Sequence, residues 1–331
     1  MNDARDSKSP FGILDFLVWD DDWNRHHYSF PKVEKAVPLM KEAGVGFIRM
    51  DFLWEDIEPK KGEFSFDKYD RLVDLLDKND IKILGLLHYN VSWNSAHWFD
   101  PPDPDLFANY ARRVVARYKS RVKYWELWNE PNVDIYWKPQ DGMKRYTALL
   151  KRTYTELKRE DATCRLLVGG LSMDFIASLE QLYQQGAKDY FDICNVHPFV
   201  TPVVENALAL LIGSISKVRA VMAAHGDAVK PLWITELGCP GMPAGAQTKE
   251  WWLGRNSTED EQARWVEKVY DGLANGREVE KIFWAFFRDT PNHFECGTDF
   301  FGLLREDFSK KPAFFAYQKR SLNFLKIGIR S

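Results

Sequence analysis

The chain has 331 residues, and its 45 lysines and arginines nearly balance 48 aspartates and glutamates, which leaves a formal net charge of −3. This balance, with no long run of one sign, excludes the extended basic surface typical of nucleic-acid-binding proteins. We find no apolar stretch of about 18 residues that would predict a membrane span, and the polar start 1–9 lacks the apolar core of a signal peptide. The sequence as given predicts a cytoplasmic location, or an extracellular one if a signal peptide was removed.

Short apolar runs alternate with amphipathic stretches along the chain, a pattern typical of parallel strands joined by crossover helices. The predicted strands are Gly12–Val18, Gly46–Phe52, Ile81–His88, Val122–Trp128, Arg165–Gly169, Phe191–His197, Leu232–Glu236 and Lys281–Phe287. The predicted helices are Val33–Ala43, Lys68–Lys78, Leu106–Tyr118, Met143–Lys158, Phe175–Gln184, Ala207–His225, Glu259–Ala274 and Pro312–Phe324. Eight such units predict a single-domain α/β fold, a (β/α)₈ TIM barrel over residues 11–325. Residues 1–10 are expected to be a disordered or expression-derived start, and residues 326–331 a C-terminal tail.

Two glutamates lie at the C-terminal ends of predicted strands. Glu130 follows the fourth strand in the segment 124–132 (YWELWNEPN), and Glu236 closes the seventh in 231–238 (PLWITELG). Catalytic residues of such barrels come from these strand ends and from the loops that follow them. A carboxyl pair is what cleavage of a glycosidic bond with retention requires, because one group protonates the leaving oxygen while the other attacks carbon.

Tryptophan is abundant, with 13 in the chain, and many lie in loops predicted at the same end of the barrel. Flat apolar rings suit the C–H faces of sugars, although ordinary loop packing is the alternative for each residue taken singly. The loops 90–104, 238–257 and 289–302 are unusually long, which predicts a deep cleft. The tryptophans in question are Trp23, Trp54, Trp93, Trp98, Trp137, Trp251 and Trp252.

These motifs together resemble a known clan of enzymes. The segment 128–132 (WNEPN) with 233–238 (WITELG) resembles the clan A glycoside hydrolases, retaining enzymes built on (β/α)₈ barrels. The residues RMD at 49–51, Trp54, IEP at 57–59, GEF at 62–64, FGLL at 301–304 and KP at 311–312 resemble family 39 most, and also family 5. The resemblance covers nearly the whole chain and specifies the clan, but not a substrate.

The resemblance implies roles for the two glutamates and their neighbours. Glu130 would be the general acid/base and Glu236 the nucleophile, while Asn129 would bind the sugar 2-hydroxyl. Retention requires the two carboxyls to lie about 5–5.5 Å apart. Glu130 must remain protonated near neutral pH, whereas Glu236 must stay ionised, and Arg49 on strand 2 is the candidate cation beside it.

Further substrate-binding residues are expected around this pair. His88 and His197 end strands 3 and 6, where the clan places histidines that contact the sugar or hold the nucleophile. Trp284 on strand 8 resembles the aromatic floor beneath the reacting sugar, and the remaining aromatic candidates are Trp54, Trp93 and Trp137.

Two features depart from the family pattern. Many relatives carry a tyrosine two residues after the strand-6 histidine, whose hydroxyl binds the nucleophile, and here that position is Phe199. Either Tyr89 or Tyr136 replaces it, or the nucleophile is held differently. Family 39 members also commonly carry an added β-sandwich, for which the eight βα units leave no length.

Other acidic residues and the cysteines are expected to be structural. Glu126 lies one layer below Glu130, where a buried acid normally pairs with an arginine of the barrel, and Asp51 is interpreted in the same way or as a loop anchor.

The four cysteines lack the CxxC spacing of zinc or redox sites. Cys164 and Cys194 are expected to be buried thiols, and a disulfide between Cys239 and Cys296 is left open. The segment 293–296 (HFEC) has no tetrahedral partners elsewhere, so loop packing is favoured over a metal. We infer no cofactor and no metal.

The sequence therefore predicts a retaining β-glycoside hydrolase that acts on β-linked oligo- or polysaccharides. The alternatives are a transglycosylase that uses the same two glutamates, and a non-catalytic carbohydrate-binding barrel, which would normally have lost one of them. A metal-dependent sugar isomerase would need His, Asp and Glu ligands on several strand ends, which we cannot assemble. Carbohydrate is the expected partner and a monomer is consistent with the sequence, while the sugar and the choice of endo or exo action are left open.

Overall fold

The computed structural model describes residues 9–19, 29–252, 254–274 and 278–327. The eight strands are β1 (Phe11–Leu14), β2 (Phe47–Leu53), β3 (Lys82–His88), β4 (Tyr124–Asn129), β5 (Arg165–Gly170), β6 (Cys194–Val196), β7 (Leu232–Leu237) and β8 (Lys281–Ala285). Nine α-helices lie within these residues: α1 (Phe30–Ala43), α2 (Trp54–Ile57), α3 (Asp67–Lys78), α4 (Pro104–Tyr118), α5 (Lys144–Glu160), α6 (Phe175–Gln184), α7 (Ala207–Ala224), α8 (Glu259–Leu273) and α9 (Pro312–Ile327).

The strands form one parallel sheet in the order β5-β4-β3-β2-β1-β8-β7-β6. Strands β5 and β6 meet through the parallel bridges Leu167–Ile193 and Leu171–Val196, which close the sheet into a barrel. The predicted (β/α)₈ TIM barrel is therefore confirmed. The predicted strands 1 and 6 were too long, because β1 gives way to a turn after Leu14 and only Cys194–Val196 pairs regularly with β7. The predicted start at 1–10 and tail at 326–331 lie largely outside the described residues.

The inside of the barrel has an apolar layer below a charged one. Near the N-terminal ends of the strands, six apolar side chains fill the interior: Phe47, Leu84, Leu167, Ile193, Trp233 and Phe283. Because side chains alternate between the two faces of a strand, the inward positions above Phe47 on β2 are Arg49 and Asp51. Both are almost fully buried. The sequence of β2 therefore places an arginine and an acid just below the mouth of the barrel.

Within the described residues, one helix, α7, is long and apolar enough by composition to cross a membrane. The sequence predicts this helix as Ala207–His225, and Lys217 and Arg219 interrupt its apolar run. In the fold, α7 is the crossover between β6 and β7, and its buried side chains include Leu211, Val218 and Met222. It is therefore one of the outer helices of the barrel.

A buried ion pair anchors the long loop after β8. Lys311 Nζ lies 2.8 Å from a carboxylate oxygen of Asp289 and also donates to the Phe300 carbonyl. Asp289 accepts a further hydrogen bond from the Gly302 N–H. Burial raises the pKa of Asp289 to about 7 and lowers that of Lys311. The loop that carries one wall of the barrel mouth thus depends on this pair.

Lys311→Met is expected to lower the free energy of unfolding by about 3–5 kcal/mol, because Asp289 is left buried without its partner. Urea denaturation measures this loss. Lys310→Met is the matched control, since the ion pair of Lys310 with Glu42 is partly exposed and is worth about 1 kcal/mol or less. Equal losses in the two variants would contradict the anchoring role of Lys311.

Candidate active site

Arg49 is the centre of a buried polar layer at the barrel mouth. Its Nε and Nη2 donate to the two carboxylate oxygens of Glu126 at 2.7 and 2.8 Å. Its Nη1 donates to Glu236 Oε1 at 2.7 Å, and Nη2 also donates to Asn129 Oδ1 at 2.9 Å. The expected pairing of Glu126 with a barrel arginine and the expected contact between Arg49 and Glu236 are both present. One guanidinium group therefore orients residues from β4 and β7 together.

Glu130 lies directly after β4 and contacts the histidine that follows β6. His197 Nδ1 is 2.8 Å from Glu130 Oε1 and 3.8 Å from Glu236 Oε1. The ligand atoms of these three side chains all lie within 4.8 Å of one another. Gly170 on β5 makes room for the histidine, because a Cβ atom there would lie 1.9 Å from His197 Nε2. The structure thus brings both predicted glutamates together.

The backbone of the WNEPN segment is unusual at two positions. Trp128 has φ 67° and Glu130 has φ 45°, in the left-handed region that non-glycine residues rarely adopt. Such conformations cost energy and persist where the surrounding contacts hold them, most often at functional sites. The contacts of Glu130 with His197 and Ser172 provide such constraints.

The hydrogen bonds behind His197 determine which of its nitrogens carries the proton. Thr235 Oγ1 lies 2.9 Å from His197 Nε2 and donates to Asn195 Oδ1 at 2.9 Å. The backbone N–H of Thr235 also donates to Asn195 Oδ1, at 3.3 Å, which fixes the orientation of that amide. Glu126 Oε1, at 3.4 Å, is a second acceptor within reach of this hydroxyl. With the one hydroxyl proton of Thr235 directed to Asn195 or Glu126, the tautomer that fits is the one in which His197 Nε2 donates to Thr235. Nδ1 of the neutral ring is then an acceptor, and a protonated Glu130 is the donor it requires.

The electrostatic surroundings favour the same proton positions. Burial raises the pKa of Glu130 to about 7, although the hydroxyl of Ser172 lowers it by bonding the charged form. Burial lowers the pKa of His197 to about 4, so the ring is neutral at neutral pH. A protonated carboxyl on a neutral histidine is the state expected of a general acid before reaction.

If Glu130 is the acid, kcat/KM should fall above a pH of about 7, because the carboxyl must hold its proton in the free enzyme. Ser172→Ala should move this basic limb to higher pH by roughly 1 pH unit, since it removes a hydrogen bond to the charged form. The pH dependence of kcat/KM measures both effects. Ser216→Ala, on the exposed face of α7, is the matched control. A shift to lower pH in Ser172→Ala would contradict this role.

Glu236 is less buried than the arginine that holds it, with 15% of its side chain exposed against 2% for Arg49. Burial raises the pKa of the Glu236 carboxyl above its ordinary value and the charge of Glu126 adds to the rise, while the Arg49 guanidinium acts to lower it. The ionisation of Glu236 therefore depends on the guanidinium contact.

A second buried pair lies beside this centre. His88 Nε2 is 2.8 Å from Asp51 Oδ1, and Trp19 Nε1 donates to Asp51 Oδ2 at 3.0 Å. The His88 ring stacks on Tyr89 at a centroid distance of 3.8 Å. All four side chains line the cleft. Asp51, which the sequence interpretation treated as structural, therefore faces the space where a ligand would bind.

The cleft at the barrel mouth has a volume of about 1140 Å³. Of the predicted site residues, those that line it are Glu130, Glu236, Asn129, Arg49, His88 and Trp54. His197 was expected to contact the sugar or to hold the nucleophile. It is buried beneath Glu130 and does not line the cleft, and its Nδ1 lies 2.8 Å from the acid and 3.8 Å from Glu236. Trp54 is also buried, and its Nε1 donates to Glu58.

Three predicted substrate-binding tryptophans do not line the cleft. Trp93 donates its N–H to the Glu58 carbonyl, so its ring packs against neighbouring loop residues. Trp137 is buried against Trp128 at a centroid distance of 5.1 Å. Trp284 is fully buried, and its Nε1 donates to the Phe301 carbonyl.

The position of Trp284 follows from strand alternation. Phe283 belongs to the inner apolar layer, so Ala285 is the next inward residue of β8 and Trp284 points to the opposite face. The predicted aromatic floor is therefore absent at residue 284. Ala285, Phe286 and Phe301 line the cleft on this side instead.

Other loop residues agree better with the sequence interpretation. The cleft lining includes Trp98, Trp251 and Trp252, whereas Trp23 lies outside the described residues. Tyr89 and Tyr136, the candidates to replace the missing strand-6 tyrosine, also line it. The hydrogen bond seen on Glu236 comes from Arg49 rather than from either tyrosine.

Cysteine and metal chemistry can be assessed from the same geometry. Cys239 and Cys296 are both free thiols, so the disulfide left open by the sequence is not formed. Glu130, His197 and Glu236 are of the types that bind metals and are close enough together to do so. Arg49 already neutralises Glu236 at 2.7 Å, and a second cation beside that guanidinium would be repelled. The arrangement suits a proton-transfer pair better than a metal.

Comparison with known proteins connects this geometry to a group of enzymes. The sequence profile of glycosyl hydrolase family 1 matches residues 21–144, a range that includes Glu130. The chain is 29% identical over 121 residues to β-glucosidase 47 of Arabidopsis thaliana, a match that covers 33% of this chain and 22% of that protein. It is 31% identical over 119 residues to a 6-phospho-β-glucosidase of Dickeya chrysanthemi, covering 32% and 25%. The match thus spans about a quarter of the length of these curated relatives.

Solved structures give matches over nearly the whole chain. A family 39 glycoside hydrolase from Bacteroides cellulosilyticus WH2 superposes with a TM-score of 0.73 and 24% identity, covering 96% of this chain and 64% of that one. A monomeric β-xylosidase from Caulobacter crescentus CB15 gives 0.71 and 18%, covering 96% and 68%. The resemblance to clan A glycoside hydrolases is confirmed. At these identities the structural likeness establishes the fold, and the chemistry has to be argued from the site.

Proposed function

We propose that this protein is a retaining β-glycoside hydrolase, with Glu236 as nucleophile and Glu130 as general acid/base. The observation that carries the proposal is the spacing and the pairing of the two carboxyls. A carboxylate oxygen of Glu130 lies within 4.8 Å of one of Glu236. One is paired with the Arg49 guanidinium and the other with the His197 ring. Such close spacing favours direct attack on carbon, whereas inversion needs carboxyls about 6.5–9.5 Å apart to admit a water molecule.

In the first step, Glu236 would attack the anomeric carbon while Glu130 gives its proton to the glycosidic oxygen, so that the aglycone leaves as an alcohol. In the second step, the ionised Glu130 would take a proton from water, and the hydroxide would displace Glu236 with its electron pair. Retention of the β configuration results from the two displacements.

The neighbouring groups have supporting parts in this scheme. Arg49 would keep Glu236 ionised and in line for attack, because the ionisation and the orientation of this carboxylate both depend on the same 2.7 Å contact. Asn129 uses its carbonyl oxygen to accept from Arg49, which directs its amide N–H group towards a sugar hydroxyl. Asp51 and His88 offer further polar groups to the same ring.

A panel of p-nitrophenyl β-glycosides tests the proposal. The β-glucoside and β-xyloside are the first choices, because named relatives and structural neighbours include β-glucosidases and a β-xylosidase. Hydrolysis of at least one, with the β anomer of the free sugar appearing first by NMR, is the expected result. The absence of any hydrolysis, or first release of the α anomer, would contradict it. Added sugar acceptors distinguish hydrolysis from transglycosylation by the products formed.

A further inference from the structure

The rim of the cleft carries an unusual concentration of exposed apolar side chains. Among the described residues, ten large hydrophobic side chains are exposed, and half of these line the cleft. They come from five different loops, after β3, β4, β5, β7 and β8 in turn. These rim residues are Trp98, Ile135, Met173, Trp252 and Phe294. Exposed apolar side chains gathered around one cleft are typical of a ligand or partner site in soluble proteins.

Inside the rim, one wall is a continuous set of aromatic rings. Phe286 packs against Phe16 at a centroid distance of 4.7 Å and stacks on Phe294 at 5.7 Å. Phe301 continues the set, with Trp251 at 4.9 Å. Apart from His293 and Thr298, the described lining residues contributed by β8 and the loops after β6, β7 and β8 are apolar or aromatic. A sugar on this wall would find few groups to bind its hydroxyls.

Polar lining residues are concentrated on the opposite side. Besides the catalytic layer, helix α2 and the loop after β3 contribute charged, amide and hydroxyl groups, namely Glu55, Asp56, Asn90, Ser92 and Ser95. A sugar ring seeks such partners at its edge. The cleft therefore has a polar side suited to the glycone and an apolar side.

The position of the acid indicates where the leaving group lies. A general acid must face the glycosidic oxygen, so the aglycone extends past the loops that surround Glu130. Those loops contribute Ile135 after β4, and Met173 next to the Ser172 that contacts Glu130. Both side chains are mostly exposed, at 60% and 65%. The leaving group thus meets apolar surface directly outside the catalytic pair.

Resting on the proposed function, we infer that the substrates of this protein are β-glycosides with a hydrophobic aglycone, of aryl or alkyl type, in place of a second sugar. The glycone binds against the polar side, and the aglycone is desolvated against the rim and the aromatic wall. This inference competes with the sequence-based expectation of an oligo- or polysaccharide, and a disaccharide separates the two.

The first test uses methyl, butyl and hexyl β-glycosides of the sugar that the aryl panel identifies. Their leaving alcohols have similar acidity, so a change along the series reports contacts rather than leaving-group chemistry. We expect kcat/KM to rise by about 10-fold or more from methyl to hexyl, because each fully buried methylene contributes up to about 4-fold. The hexyl glycoside should also exceed the β-linked disaccharide of the same sugar. A flat series, or preference for the disaccharide, overturns the inference and leaves hydrolysis itself intact.

A pair of double variants locates the apolar contact. Ile135→Ser with Met173→Ser should lower the hexyl-to-methyl ratio at least threefold. Leu210→Ser with Val229→Ser is the matched control, because these side chains are also exposed but do not line the cleft. Its ratio should equal that of the unmodified protein. Equal ratios in both double variants would contradict the assignment of the rim.

A binding measurement separates this inference from the proposed catalysis. In Glu236→Gln, tryptophan fluorescence titration with methyl and hexyl β-glucoside should show at least tenfold tighter binding of the hexyl compound. If no β-glycoside is hydrolysed but this preference is present, the proposed function fails and the apolar site stands. If the two compounds bind equally, the inference fails whatever the catalytic result.

Discussion

Glu236→Ala is expected to lower kcat/KM by about 10⁴-fold or more on every β-glycoside, including those with activated aryl leaving groups. The covalent route is lost when no group can attack the anomeric carbon. Steady-state rates with an aryl glycoside measure the loss. Glu205→Ala, an exposed acid outside the cleft, is the control and should keep full activity. Azide should restore turnover of Glu236→Ala and give the α-glycosyl azide.

Glu130→Ala should behave differently under the same conditions. Loss of the acid should lower kcat/KM roughly 10²–10⁴-fold on substrates with poor leaving groups. The loss should be much smaller on activated substrates, whose first step does not need protonation of the leaving group. Azide should then yield the β-glycosyl azide, because it intercepts the intermediate on Glu236. Two variants with the same substrate dependence and the same azide product would show that the roles are misassigned.

Arg49→Lys should be costly although the charge is kept, with kcat/KM reduced by about 10²-fold or more. Arg49 bonds Glu236, Glu126 and Asn129 at once, and an ammonium group cannot reproduce that planar fork. Arg49 lowers the pKa of Glu236, so its replacement should raise that pKa. The nucleophile is then ionised only at higher pH, and the acidic limb of the kcat/KM profile moves upward.

The pH profile makes this prediction specific, because a merely structural defect would lower activity without moving the limb. Arg117→Lys provides the control, since Arg117 forms an exposed ion pair with Asp70 on the outer helices. It should leave both activity and the acidic limb unchanged. Normal activity and an unchanged limb in Arg49→Lys would show that another group, such as His88 or His197, keeps Glu236 ionised.

The barrel and its central contacts could be predicted because they follow from local periodicity. Alternation along β2 puts Arg49 inside the barrel, and the motif positions put Glu130 and Glu236 at strand ends, so their meeting depends only on the strand count. The same alternation argues against Trp284 as a cleft residue, because Phe283 points into the barrel and its neighbour Trp284 must then point outwards. The expectation for Trp284 came from the family resemblance and not from this pattern.

Loop tryptophans were the least predictable part, because their orientation depends on contacts between distant segments. The N–H of Trp93 meets the carbonyl of Glu58, 35 residues earlier, and no local pattern signals that contact. The proton arrangement on His197 likewise depends on Thr235 and Asn195, which lie on neighbouring strands. Sequence spacing places such residues near one another but does not fix their donors and acceptors.

The most direct test of the two-glutamate mechanism is peptide mapping by mass spectrometry after reaction with a 2-deoxy-2-fluoro β-glycoside that has an activated leaving group. The fluorine slows both steps, while the good leaving group lets the first step proceed, so the covalent intermediate accumulates. The expected result is one fluoroglycosyl unit attached through an ester to Glu236. Attachment to a different residue, or continued hydrolysis without any covalent adduct and with the α anomer released first, would contradict the mechanism.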